Sequence, residues 1–159
     1  MSKLLGPWAV IDIETTGADP MADQVIDVGF LKFEGTKLIE EYRSLVRFDG
    51  ELSFFIQKLT GITSKMLKKA PIWTEVESRI QELYGHHLLA HNSDFEQSFL
   101  KKSFDKIDTG EGRETYEDSL YYLGLLFPEY ASLKLERFIT DWKIRESEIH
   151  RGLEDAIDL

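Results

Sequence analysis

Val10-Ile11-Asp12-Ile13-Glu14-Thr15-Thr16-Gly17 is the stretch whose reading decides the fold. The run from Trp8 to Ile13 is apolar and partly β-branched, as in a buried strand, yet Asp12 and Glu14 interrupt the pattern. Side chains alternate along a strand, so Asp12 and Glu14 project from one face while Ile11 and Ile13 occupy the other. Adjacent like charges raise each other's pKa, and burial raises both further. A divalent cation is the simplest compensation for such a pair. The turn Thr15-Thr16-Gly17 brings hydroxyls and backbone N–H groups close to the same face, groups suited to a phosphate or a terminal ribose. On this stretch alone two readings stand level: a metal site, and an edge strand carrying two solvated acids.

The bulk composition narrows the choice. A chain of 159 residues, 42% hydrophobic and without repeats or low-complexity runs, forms one domain with a single core. Apolar runs are short, so no segment is expected to span a membrane, and Met1 to Pro7 is too short for a signal peptide. With no cysteine, carboxylate and histidine are the strong ligands left, a set that favours hard cations such as Mg²⁺ or Mn²⁺. A cytoplasmic location is expected. The net charge of −10 sits awkwardly with nucleic-acid binding, which draws on Lys and Arg. An acidic chain can still act there if metals grip a few nucleotides, or if another domain or subunit supplies the hold.

Beyond Ala18-Asp19-Pro20, Gln24 to Phe33 reads as a second strand, Glu34-Gly35 as a hairpin turn and Lys37 to Val46 as a third strand. Asp27, inside the second strand, reads as a partnered or exposed acid rather than a ligand. Ser53 to Leu59 forms a short helix ended by Gly61, and Thr63 caps another that stops before Pro71. Trp73, Val76, Ile80, Leu83 and Tyr84 form the core stripe of an amphipathic helix stopped by Gly85. His87 to Ala90 is a short buried strand, followed by a helix to about Phe104 and a surface loop over Lys101 to Arg113. Glu117-Asp118 leads into an apolar helix ending before Pro128, and Ser132 caps one whose buried stripe is Leu135, Phe138, Ile139 and Trp142. The final helix ends on an apolar residue after about two turns, which suggests a domain cut from, or continuing into, a longer chain.

Helical spacing sorts the remaining acids. Asp94 shares a face with Gln97, Ser98 and Lys101, a wet side, whereas Glu96 lines up with Phe99 and Leu100 and points inward. In the last helix Glu154 aligns with Arg151 and Asp158, a trio expected to face water, and Asp155 aligns with Gly152 and Leu159 on the packed side. His150 fits the same site if it lies in the loop ahead of that helix. Inward acids and a histidine drawn from three segments of one small domain point to a shared centre.

IDIETTG, LTGIT followed by AP, AHNSDFE and HRGLEDA, in that order, resemble the motifs of the DEDDh 3′→5′ exonucleases, and the match covers essentially the whole chain. The resemblance implies an α/β, RNase H-like fold with a mixed five-stranded sheet flanked by helices, here one exonuclease domain over residues 1–159. It implies two Mg²⁺ or Mn²⁺ ions held by Asp12, Glu14, the acid of the third motif and Asp155, with His150 as general base. Thr15, Thr16 and Gly17 would hold the terminal nucleotide, and His91 and Asn92 would shape the site. Ile62 either packs on the terminal base or is ordinary core. The third motif departs from the family, which ends it in Asp; here the matching residue is Glu96, with Asp94 off register by two. The products would be nucleoside 5′-monophosphates cut from DNA or RNA 3′ ends. Two rival readings are a catalytically weak docking module that kept the fold, and a nuclease module of a polymerase, a helicase fusion or a CRISPR adaptation protein.

Overall fold

A computed structural model describes residues 6–107, 114–146 and 149–159 of the chain. The elements run β1 (Trp8–Thr15), β2 (Val25–Glu34), β3 (Lys37–Leu45), α1 (Phe54–Thr60), α2 (Ser64–Leu67), α3 (Trp73–Gln81), β4 (His87–Ala90), α4 (Asp94–Phe104), β5 (Thr115–Asp118), α5 (Ser119–Leu126), α6 (Leu135–Asp141) and α7 (Gly152–Asp158). The strands make one five-stranded mixed sheet in the order β3-β2-β1-β4-β5. β1 pairs antiparallel with β2, and β2 with β3, while β4 runs parallel to both β1 and β5. The first strand is therefore the middle of the sheet, not an edge.

Both faces of β1 are covered, which explains its apolar composition. Ala9, Ile11 and Ile13 join Val28 and Phe30 of β2 in the main core, sealed by Val76, Ile80 and Leu83 and by Leu100 and Phe104 of α4. Val10 faces the other way, packing with Leu31 and with Ala156 of α7. Trp8 stacks on its register partner Phe33 at 4.1 Å and donates its indole N–H to the Gly35 carbonyl at 2.7 Å, fixing the β2–β3 hairpin. Gly35 takes φ +60°, as a tight hairpin turn requires. A smaller cluster of Ile26, Leu52, Ile62 and Leu67 seats α1 and α2 beside the start of β2. Ser53 and Thr63 cap those two helices, and Gly61 ends α1 at φ +69°.

Three expectations change. Thr115–Asp118 is a strand, paired to His87–Ala90 from one side only, and four residues with a polar edge show no periodicity to read. Trp142 is 47% exposed rather than buried, lying past the end of α6 with its ring edge-on to Phe127 and Phe138. The loop expected from Lys101 begins later, since α4 continues to Phe104; residues 108–113 of it lie outside the described residues.

Candidate active site

Alternation along β1 sets the geometry. Val10 lies under α7, so Asp12 and Glu14, two and four residues on, share the α7 face. Asp12 is register partner to Gly29 and Glu14 to Asp27. Gly29 is where α7 comes to rest: a Cβ there would lie 2.0 Å from the Leu153 backbone nitrogen, and one on Gly152 would lie 2.6 Å from the Gly29 nitrogen. Two glycines back to back thus let the start of α7 touch the sheet beside the two carboxylates.

The approach to α7 is a bent strap. His150 adopts φ +55°, Arg151 is extended, and the Arg151 N–H donates to Asp155 Oδ2 at 3.1 Å. Glu14, His150 and Asp155 each bring one ligand atom within 4.8 Å of the other two. Carboxylate oxygens and an imidazole nitrogen in that spacing suit a hard divalent cation. Asp12 stands on the same face two residues before Glu14, outside that group of three.

Glu96 points inward as the helix spacing requires and is 2% exposed, while Asp94 lines an open polar cleft with Gln97, Ser98 and Lys101. Burial pushes the Glu96 carboxyl up to about 8, with the Asp118 charge adding to the rise and its own backbone N–H opposing it. Its Oε2 has no hydrogen-bond partner among the described residues. Glu96 also raises the pKa of Tyr116, after burial and Glu114, which places it toward β5. It does not join Glu14, His150 and Asp155.

The family model for exonucleases, RNase_T, matches residues 9–158. The chain belongs to the exonuclease family. It is 33% identical over 156 residues to a PolC-type DNA polymerase III of Caldanaerobacter subterraneus, covering 98% of this chain and 11% of that protein. It is 33% identical over 153 residues to the 3′-5′ exonuclease DinG of Staphylococcus epidermidis, covering 96% of this chain and 17% of the relative. The domain therefore spans a small part of the curated relatives it matches. Its RNase H-like fold is that of E. coli exonuclease I: the complex with a dA16 oligonucleotide superposes with a TM-score of 0.80 at 18% identity, over 96% of this chain and 39% of that one. The zinc-bound form of the E. coli exonuclease I–ssDNA complex gives 0.77 at 18% identity, over 97% and 38%.

Within this exonuclease domain the expected nucleotide-holding residues are largely engaged by partners inside the fold. Thr15 is buried and its hydroxyl donates to the Gly17 carbonyl. The Thr16 hydroxyl donates to Asp23 Oδ1 at 2.8 Å and accepts from the Gln24 N–H at 3.1 Å, so the turn is braced against the start of β2. His91 Nδ1 lies 2.8 Å from Ser119 Oγ; burial lowers its pKa, against the pull of Asp118. Asn92, at φ +66°, donates its backbone N–H to Asp118 Oδ1 at 3.0 Å, and the same oxygen caps α5 through Leu120. Asp118 thus clamps the turn into α4, a part that local spacing did not reveal. Ile62 is 0% exposed within its core cluster, so it offers no face to a base and belongs to the core.

The outer face of α7 departs from expectation. Arg151 Nε donates to Asp27 Oδ2 at 2.7 Å, with Arg43 at 3.7 Å from the same oxygen and 2.6 Å from Glu154. Asp158 is buried against Arg145 at 2.7 Å. Arg151, Glu154 and Asp158 therefore do not form a free solvent face, because their partners come from β2, β3 and the α6–α7 connection. Asp27 is partnered, as expected, and wholly buried; desolvation raises its pKa, and Arg151 and then Arg43 hold it down.

Proposed function

We propose that this domain is a divalent-cation-dependent 3′→5′ exonuclease that releases nucleoside 5′-monophosphates from single-stranded DNA or RNA ends. The observation that carries the reading is the gathering of Glu14, His150 and Asp155 within 4.8 Å of one another, from the middle strand and the strap before α7. When bound, two Mg²⁺ or Mn²⁺ ions held by Asp12, Glu14, Glu96 and Asp155 would neutralise the phosphate and make water a stronger acid. His150 takes the proton of the attacking water on an imidazole nitrogen. Water's oxygen bonds to the last phosphorus, the bond to the 3′ oxygen of the preceding nucleotide breaks, and a proton passes to that oxygen. The Thr15–Gly17 turn holds the terminal nucleotide, and His91 and Asn92 fix the mouth of the site through Asp118 and Ser119. The PolC-type polymerase and DinG exonuclease relatives, each far longer than this chain, support a role as one module of a larger nucleic-acid-processing protein.

Release of mononucleotides from 3′-labelled single strands with Mn²⁺, for the wild type and His150→Ala, tests the proposal. Loss of release in the variant supports it; equal release from both proteins, or none from either, sinks it. A second reading, a docking module with a weakened centre, is favoured by one observation: Glu96 is not part of the group formed by Glu14, His150 and Asp155. Calorimetry separates the two, since a working centre takes up Mn²⁺ stoichiometrically and a relic does not.

A further inference from the structure

The domain carries 19 basic and 29 acidic side chains, yet the charge is unevenly spread. Residues 47–70 contain five basic groups and two acidic ones, a net of +3, leaving −13 for the rest of the chain. The five are Arg47, Lys58, Lys65, Lys68 and Lys69, and all are exposed. Among the described residues none of the five forms an ion pair with a carboxylate. Between them lie the most exposed aromatic side chains of the described structure, Phe54 at 81% and Phe55 at 69%.

This surface is braced by its own hydrogen bonds and tied to the end of the sheet that carries Glu14. Gln57 Nε2 donates to the Leu52 carbonyl at 2.8 Å and the Leu52 N–H donates to Ser64 Oγ at 3.0 Å, locking α1 to α2. Ile56 and Leu45 pack against the cluster of Ile26, Leu52, Ile62 and Leu67, and the Val46 N–H donates to the Ile26 carbonyl at 2.9 Å. Leu45 is register partner to Asp27, which is partner to Glu14. The basic, aromatic surface is therefore anchored at the same end of the sheet as Glu14.

We propose that the exposed side of α1 and α2 is a binding platform for the single strand upstream of its 3′ end, with Phe54 and Phe55 stacking on bases and the lysines facing phosphates. The inference rests on the exonuclease reading for the strand's direction, but the platform's affinity is separable from turnover. Exposed aromatic rings among cations fit a single-stranded polyanion, because bases stack regardless of sequence and phosphates need only positive charge. Such a platform also lets so acidic a domain grip nucleic acid: the excess negative charge lies elsewhere.

Fluorescence anisotropy of labelled oligothymidylate in EDTA, where no cleavage interferes, tests the platform on a twelve-nucleotide strand and a dinucleotide. Wild type should bind the longer strand much more tightly. Phe54→Ala/Phe55→Ala should weaken the long strand by about 5- to 150-fold for each base left unstacked and flatten the dependence on length. Lys58→Ala/Lys65→Ala/Lys68→Ala/Lys69→Ala should lower the slope of log affinity against log salt by about 0.7 for each phosphate no longer neutralised. All six side chains are exposed, so thermal melting should stay near wild type and exclude misfolding. Unchanged long-strand affinity and salt slope in both variants would overturn the proposal and point to a protein partner instead. A wild type that binds in this manner but releases no mononucleotide would refute the exonuclease reading and leave the platform standing.

Discussion

Replacing Glu96 by Gln removes the most strongly perturbed acid of the site while keeping its size and polarity. In the metal-free domain the wild-type carboxyl, 2% exposed, is pushed up to about 8 from an ordinary 4.5. The folded protein thus holds a proton that the unfolded chain has lost between those two values. The stability this contributes is complete below the unfolded pKa and is lost as pH rises through the folded one. From pH 6 to pH 9 the loss is about 2.6 kcal/mol, since each unit inside the window counts for about 1.4 kcal/mol. Urea unfolding in EDTA at both pH values, for wild type and Glu96→Gln, measures it directly. The variant should lose about 2.6 kcal/mol less than wild type over that interval. Parallel losses in the two proteins would refute the burial argument.

Two further perturbations address how α7 is seated. Arg151→Met leaves the wholly buried Asp27 with Arg43 at 3.7 Å as its remaining cation among the described residues; urea unfolding should show a loss of about 3–5 kcal/mol, partly recovered when Asp27→Asn is added. Wild-type stability in the single variant would show that the pair does not secure the strap. Gly29→Ala puts a methyl group 2.0 Å from the Leu153 nitrogen; it should cost about 1–3 kcal/mol or more and abolish Mn²⁺ uptake by lifting Asp155 from Glu14. Full Mn²⁺ uptake in that variant would count against the proposed seating.

Much of the site was legible because short periodicities fix directions. A period of two put Asp12 and Glu14 on one face of β1, and spacings of three and four separated buried Glu96 from exposed Asp94. The same reasoning turned Asp155 inward. It failed for Glu154 and Asp158, because the neighbours that settle their environment, Arg43 and Arg145, come from outside α7. Asp118 was hidden for a related reason: its role joins the turn after β4 to the start of α5, residues 26 apart in sequence. β5 was illegible because four residues paired on one side leave no pattern. The family resemblance supplied the fifth strand where the residues alone did not.

The acids of β1 and α7, with His150, are held here to share bound cations. Anomalous diffraction from crystals of the domain grown with Mn²⁺ tests this most directly. A manganese peak is expected with carboxylate oxygens of Glu14 and Asp155 about 2.0–2.6 Å away. Full-occupancy manganese bound elsewhere, with no peak between those residues, would contradict it.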